Sequence, residues 1–129
     1  MRSQVTLPAG LESTTAARRF AEQTLRGWGI DGEAFETTRL LVSELVANAM
    51  THAATTAQMV LDLSDRRLRV EVRDKAGGRP RRRDPNFDEP TGRGLMIVEE
   101  LADRWGVDDE PPGKSVWFEL QASRLGRTA

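Results

Sequence analysis

Leu40-Leu41-Val42-Ser43-Glu44-Leu45-Val46-Ala47-Asn48-Ala49-Met50-Thr51-His52-Ala53 is the stretch from which the rest of the chain can be read. At about 100° per residue, Leu41, Val42, Leu45, Val46, Ala49, Met50 and Ala53 cover most of a helical circumference, and a helix apolar nearly all round is buried. Glu44, Asn48 and His52 interrupt it at i, i+4 and i+8, drifting by about 40° per step, so they share one stripe. A carboxylate on a buried helix is costly unless it meets a cleft, a cation or a ligand. A polar stripe of this kind is therefore a candidate site, although a helix-end histidine alone would be explained by the dipole.

Working outward, the period changes on both sides. Toward the N-terminus, Ala17, Phe20, Ala21, Leu25 and Trp28 predict a helix from about 14 to 28, capped by Ser13 or Thr14 and ended by Gly27 and Gly29. Before it, Val5 and Leu7 form a short strand stopped by Pro8-Ala9-Gly10. The central helix itself starts near Asp31. On its C-terminal side Met59, Leu61 and Leu63 alternate, Ser64-Asp65-Arg66 turns, and Leu68, Val70 and Val72 alternate again, which predicts a hairpin with one buried face. Asp74 shares the parity of that buried face, while Arg69, Glu71 and Arg73 fall on the solvated one; a one-residue slip would bury three charges instead. Read alone, Asp74 is as well explained by an ordinary turn-initiating aspartate as by a carboxylate aimed into a pocket.

Residues 75–91 carry Gly77-Gly78, three prolines and the cluster Arg79-Pro80-Arg81-Arg82-Arg83, and read as a long loop of the kind that is functional or disordered inside a domain. Thr91-Gly92-Arg93-Gly94-Leu95 then opens a helix with Ile97, Val98, Leu101 and Ala102. Glycines there let a backbone approach a ligand, and the free N–H groups of a helical first turn favour phosphate. No Gly-x-x-x-x-Gly-Lys-[Ser/Thr] occurs, which excludes a P-loop. Trp105 to Val107 reads as a short strand, Asp109-Glu110-Pro111-Pro112-Gly113 as a turn, and Val116, Phe118 and Leu120 as the buried face of a last strand. The order βααββαββ predicts an α+β two-layer sandwich: a mixed, mainly antiparallel sheet covered on one face by about three helices.

Composition limits the chemistry. A chain of 129 residues points to one domain, here 1–121 with a flexible tail at 122–129. The 38% hydrophobic content reaches the range of soluble globular domains once the 11 glycines are counted. Without cysteine there is no disulfide framework, Cys nucleophile or Cys-ligated metal, and a single histidine excludes multi-His metal sites. A net charge of −1 argues against direct nucleic-acid binding. No apolar run approaches a membrane span and the start lacks a signal-peptide core, so the expected location is cytoplasmic, with no membrane association.

Taken together, a buried Glu/Asn stripe, an inward Asp at a strand end, a long loop and a glycine-rich helix start are complementary parts of a nucleotide site. On these residues the sequence resembles the gyrase/Hsp90/histidine-kinase/MutL (GHKL) ATPases, which share a Bergerat-type ATP-binding fold. Glu44-Leu-Val-Ala-Asn48-Ala-Met-Thr-His52 looks like their N box, Val72-Arg-Asp74-Lys-Ala-Gly-Gly78 like the first glycine box, and Thr91-Gly-Arg-Gly-Leu-Met-Ile-Val98 like the second. Gly113-Lys-Ser-Val-Trp-Phe-Glu-Leu120 resembles the final box and strand. In size the chain is most similar to the small anti-sigma-factor serine/threonine kinases of bacterial stress and sporulation switches, abundant as stand-alone regulators in actinobacteria.

The resemblance implies ATP and Mg²⁺ as cofactors. It makes Asn48 the metal ligand and Glu44 the general base, and sets His52 near the phosphates. Asp74 accepts a hydrogen bond from the adenine amine, and Gly78 lets the chain pass close to the base. Thr91, Gly92, Gly94 and Leu95 belong to the segment that wraps the phosphates, and Arg93 neutralises charge developing there. The loop from Lys75 to Thr91 is then an ATP lid. Two departures stand out: Ala76 replaces the first glycine of Asp-x-Gly-x-Gly, and Lys114-Ser115 replaces the usual Gly-Thr, with Ser115 left to supply the hydroxyl. The partners implied are a sigma factor and an anti-sigma antagonist, with a homodimer an allowed assembly. The altered glycine box also admits a non-catalytic module that sequesters a partner.

Overall fold

The computed structural model describes residues 1–52, 55–65, 67–74, 92–110 and 113–121; at His52, at positions 92 to 95 and at Glu110 it describes the backbone alone. The expected lid from Lys75 to Thr91, with Ala76, Gly78 and the Arg79–Arg83 cluster, and the expected tail 122–129 lie outside the described residues. In chain order the elements are β1 (Arg2–Leu7), α1 (Ser13–Gly27), α2 (Gly32–His52), β2 (Ala57–Ser64), β3 (Arg67–Asp74), α3 (Gly92–Leu101), β4 (Arg104–Glu110) and β5 (Gly113–Gln121). The strands form one sheet in the order β1-β2-β3-β5-β4, and every pairing is antiparallel.

The three helices cover one face of that sheet, and their buried side chains join those of the strands in one core. In α2, Leu41, Val42, Leu45, Val46, Ala49 and Met50 are all buried, so this helix lies at the centre of its layer. α1 buries the narrower stripe Ala17, Ala21 and Leu25 at i, i+4 spacing, as a helix with one solvated face does. An Arg39–Glu22 ion pair of 2.7 Å ties the two helices at their rim. From the sheet come Leu7, Met59, Leu61, Leu63, Leu68, Val70, Val72, Val116, Phe118 and Leu120, the alternating set that the period of 2 demands.

Local chemistry explains the boundaries, and in two places corrects the reading of the sequence. Neither Ser13 nor Thr14 caps α1. The cap position is Glu12, without a side-chain cap bond, and the Ser13 hydroxyl instead donates to the Pro8 carbonyl at 2.5 Å. That contact anchors the β1–α1 connection rather than the helix end. At its C-terminus α1 stops at Gly29, whose φ of 79° is the left-handed conformation that ends helices. Ile30 then returns its N–H to the Leu25 carbonyl.

The second correction is the length of β4. Asp109 and Glu110 are strand residues rather than the start of a turn, because the β4–β5 ladder continues through Asp108↔Ser115, Asp109↔Lys114 and Glu110↔Gly113. An opposite-charge cross-strand pair and the ladder hydrogen bonds outweigh the low strand preference of aspartate.

Among the described residues no helix covers the other face of the sheet, and that face is not simply solvated. Glu71 and Glu119 are buried there. Arg69 reaches Glu119 at 2.8 Å, and Arg67 and Arg104 approach it at 3.7 and 3.6 Å. Arg69 also stacks 4.2 Å over the Trp117 ring. The indole has room because Gly106 opposes it in β4: a Cβ at that position would meet the ring at 2.7 Å. Arginine stems and an aromatic ring thus cover this face in place of helices.

Candidate functional site

The polar stripe read from the sequence lies on the helix at the centre of the core. Asn48 is only 2% exposed yet has a polar partner, and Glu44, one turn before it, is half-buried. Glu44 thus reaches solvent while Asn48 is enclosed. Cβ atoms one helical turn apart are about 5–6 Å from each other, close enough to act on one ligand group. His52 is the last residue of α2, and its side chain lies outside the described residues.

Topology brings β3 to the same end. Four residues separate the end of α2 from the start of β2, and Ala57 at that start pairs with Asp74 at the end of β3. Asp74 is 6% exposed, on the helix-covered face with Val70 and Val72, and has a polar partner. α2 packs directly on β3 and on α3. The far end of α3 is fixed beside Glu119, where the Asp103 N–H donates to the Glu119 carbonyl. The first turn of α3, with Gly92 and Gly94 in its backbone, lies at the opposite end of that helix from the Asp103–Glu119 contact. The side chains of Arg93 and Leu95, and Gly78 and Thr91 altogether, lie outside the described residues.

One expected site residue is elsewhere. Ser115 pairs with Arg73, so it falls on the face without helices, and its buried hydroxyl donates to Glu71 at 2.5 Å. It cannot supply a hydroxyl beside Asp74, because strand alternation turns it through the sheet. Arg73 completes this cluster with bonds of 3.1 and 3.3 Å to the two Glu71 oxygens. Burial pushes the Glu71 carboxyl up, but hydrogen bonds from Arg73 and Ser115, with the charges of Arg73 and Arg69, outweigh it and hold the group below its ordinary 4.5.

Two residues of β5 take the place that Ser115 was expected to fill. Gly113 faces the Asp74 main chain so closely that a Cβ there would overlap the Asp74 carbonyl and lie 2.8 Å from Oδ1. Lys114, 4% exposed, pairs in register with Asp74 on one side and Asp109 on the other. The parity of Val116, Phe118 and Leu120, carried back two residues, lands on Lys114 and not on Ser115, so the signal was present in the sequence.

The candidate set is Glu44 and Asn48 on α2, with buried Asp74 and its register partner Lys114 on the strands beneath. Such a set suits a group with an anionic part and a polar planar part. An amide oxygen is a hard donor of the kind Mg²⁺ takes alongside phosphate oxygens and water, so Asn48 fits that ion. Among the described residues no cluster of three or more His, Cys, Asp or Glu is placed to hold a metal by itself. An open cavity of about 380 Å³ lined by Arg67, Arg104, Glu119 and their neighbours lies at the other end, on the face without helices.

A family model for the histidine kinase-like ATPase domain matches residues 7–120, and the chain belongs to that family of ATP-binding domains. The fold is similar to the crystal structure of the RsbU and RsbW domains of Rv1364c from Mycobacterium tuberculosis, with a TM-score of 0.73 at 19% identity. That match covers 94% of this chain and 32% of the other, so the chain spans about a third of that protein's length. No curated protein sequence matches the chain. No helix among the described residues is long and apolar enough to cross a membrane.

Proposed function

We propose that the chain is an ATP-dependent regulator of the anti-sigma type, a serine/threonine kinase that transfers the γ-phosphate of ATP to a hydroxyl of an antagonist protein and also binds a sigma factor. The observation that carries this reading is the half-buried Glu44 one turn from the enclosed Asn48, on a helix packed against the strand that ends in buried Asp74. Asp74 accepts a hydrogen bond from the adenine amine. Asn48 would hold Mg²⁺ through its amide oxygen, and the ion would supply charge neutralisation at the phosphates when bound. Glu44 orients the incoming serine hydroxyl and takes its proton as the oxygen bonds to the γ-phosphorus and the bond to the ADP oxygen breaks. The backbone of Gly92 and Gly94 in the first turn of α3 would receive phosphate oxygens, and the motifs add His52, Thr91, Arg93 and Leu95 to the residues expected to bind nucleotide.

The test is to incubate the chain with Mg-ATP and a candidate antagonist and to measure phosphoserine by mass spectrometry. Wild type is expected to phosphorylate, and Glu44→Gln to bind ATP with turnover reduced at least about a hundredfold. ATP binding without phosphoserine would favour the second reading, a module that sequesters its partner without catalysis, which the Ala76 replacement supports. Under that reading Glu44→Gln leaves partner binding and transcriptional output unchanged.

A further inference from the structure

Glu119 is enclosed on the face of the sheet that no described helix covers, and three arginines converge on it. Read across the five strands in register, Arg2, Asp62, Arg69, Glu119 and Arg104 form one row of alternating charge. Arg69 lies inside the row and donates to Glu119 Oε2 at 2.8 Å. Arg104 ends the row on the edge strand β4, and Arg67 lies outside it, between uncharged Ser64 and Gln121. Neither of these two completes the carboxylate. Arg67 stays 3.7 Å from Oε2 and Arg104 3.6 Å from Oε1, both beyond hydrogen-bonding distance, and Oε1 is buried without a hydrogen-bond partner. A buried carboxylate oxygen in that condition is costly until a donor reaches it. The Arg67 and Arg104 side chains are 44% and 62% exposed, and they line the open cavity of about 380 Å³ with Glu119, Ser64, Asp65 and Gln121. Asp65 is exposed to solvent, so its charge is screened. The cavity thus sets an acceptor that lacks a donor beside two arginine forks suited to an oxyanion.

We propose that this cavity binds inorganic hydrogen phosphate. The P–OH of the ion donates to Glu119 Oε1, and its other oxygens accept from Arg67 and Arg104. Arg67, Arg69 and Arg104 carry the three positive charges that Glu119 and a dianion together require. The buried carboxylate sets the specificity. Sulfate has no proton at neutral pH and would set an oxygen lone pair against Oε1. A phosphate monoester, with a second pKa of about 6, has mostly lost its proton there as well. The site is separate from the nucleotide site and does not depend on it: Arg67 and Asp74 stand at opposite ends of β3, about 23 Å apart at some 3.3 Å per residue.

Calorimetry at low ionic strength and neutral pH, without nucleotide, compares inorganic phosphate, sulfate and methyl phosphate as ligands. Wild type is expected to bind phosphate at least about tenfold more tightly than either of the others, as loss of a hydrogen bond to a charged group requires. Arg104→Gln, at a mostly exposed edge position, is expected to weaken phosphate binding at least about tenfold. Glu119→Gln, whose amide can donate, is expected to abolish the preference over sulfate. Sulfate or methyl phosphate bound as tightly as phosphate by wild type overturns the assignment. So does phosphate affinity unchanged in Arg104→Gln, which would put the ion elsewhere on the chain, or no binding at millimolar phosphate. The wild-type comparison and Arg104→Gln carry the test even if Glu119→Gln fails to fold.

Discussion

At the residue scale, the sharpest steric demand near the site falls on Gly113, because Asp74 fills the space its side chain would take. Gly113→Ala is expected to lower stability by about 1–3 kcal/mol through overpacking, and to weaken ATP binding by displacing the Asp74 carboxylate. Urea denaturation and calorimetric titration of the same variant check the two effects separately. The Ser115–Glu71 bond lies on the other face of the sheet and makes the opposite prediction. Ser115→Ala should cost about 1–3 kcal/mol and leave ATP affinity unchanged. Because the Glu71 carboxyl is held below 4.5 in the fold, its contribution is present above that value and is lost as the pH falls through the depressed one. In Ser115→Ala the depression is smaller, so the variant's deficit at neutral pH should shrink as the pH falls below the ordinary 4.5. A deficit that stays constant with pH would show that Glu71 does not titrate through this contact.

At the scale of elements, α2 and the β2–β3 hairpin were legible because one physical rule governs each. An almost wholly apolar helix has to be buried, and its polar interruptions at i, i+4 then stand out. A strand pair with one buried face fixes its register, and with it the inward direction of Asp74. The features that escaped the sequence depend on contacts between elements. Asp109 is a poor strand residue until it lies opposite Lys114, so β4 read too short. Ser13 is a plausible cap until the Pro8 carbonyl takes its hydroxyl. Ser115 fits the final motif, but parity from Val116 turns it to the other face and leaves Lys114 beside Asp74. The central position of α2 has a measurable consequence. Leu45, fully enclosed one residue after Glu44, should cost about 2–5 kcal/mol as Leu45→Ala, whereas Leu40→Ala on the exposed side should cost well under 1. Similar losses at both positions in denaturant unfolding would contradict this packing.

At the scale of the whole molecule, the chain divides its chemistry between the two faces of one sheet. The helix-covered face holds the apolar core together with the buried polar residues Asn48, Asp74 and Lys114. The other face is closed by arginine stems, Trp117 and the carboxylates of Glu71 and Glu119. Fold and family were accessible from patterning and motifs, since both arise from burial and spacing along the chain. Which residue of β5 stands beside Asp74 is legible only when parity is followed back from Val116, and the motif alone points to Ser115 instead. A ligand that binds only the folded protein raises stability by mass action, so saturating Mg-ATP should raise the Tm by several degrees in wild type and less in Asp74→Asn. The central claim is that α2 carries a metal-assisted nucleotide site, and it is tested most directly by titrating ATP with and without Mg²⁺ into wild type and Asn48→Ala. The account predicts that Mg²⁺ tightens binding by wild type at least about tenfold and that Asn48→Ala loses that gain while remaining folded. Binding by wild type that is indifferent to Mg²⁺, or a metal effect undiminished in Asn48→Ala, would contradict it.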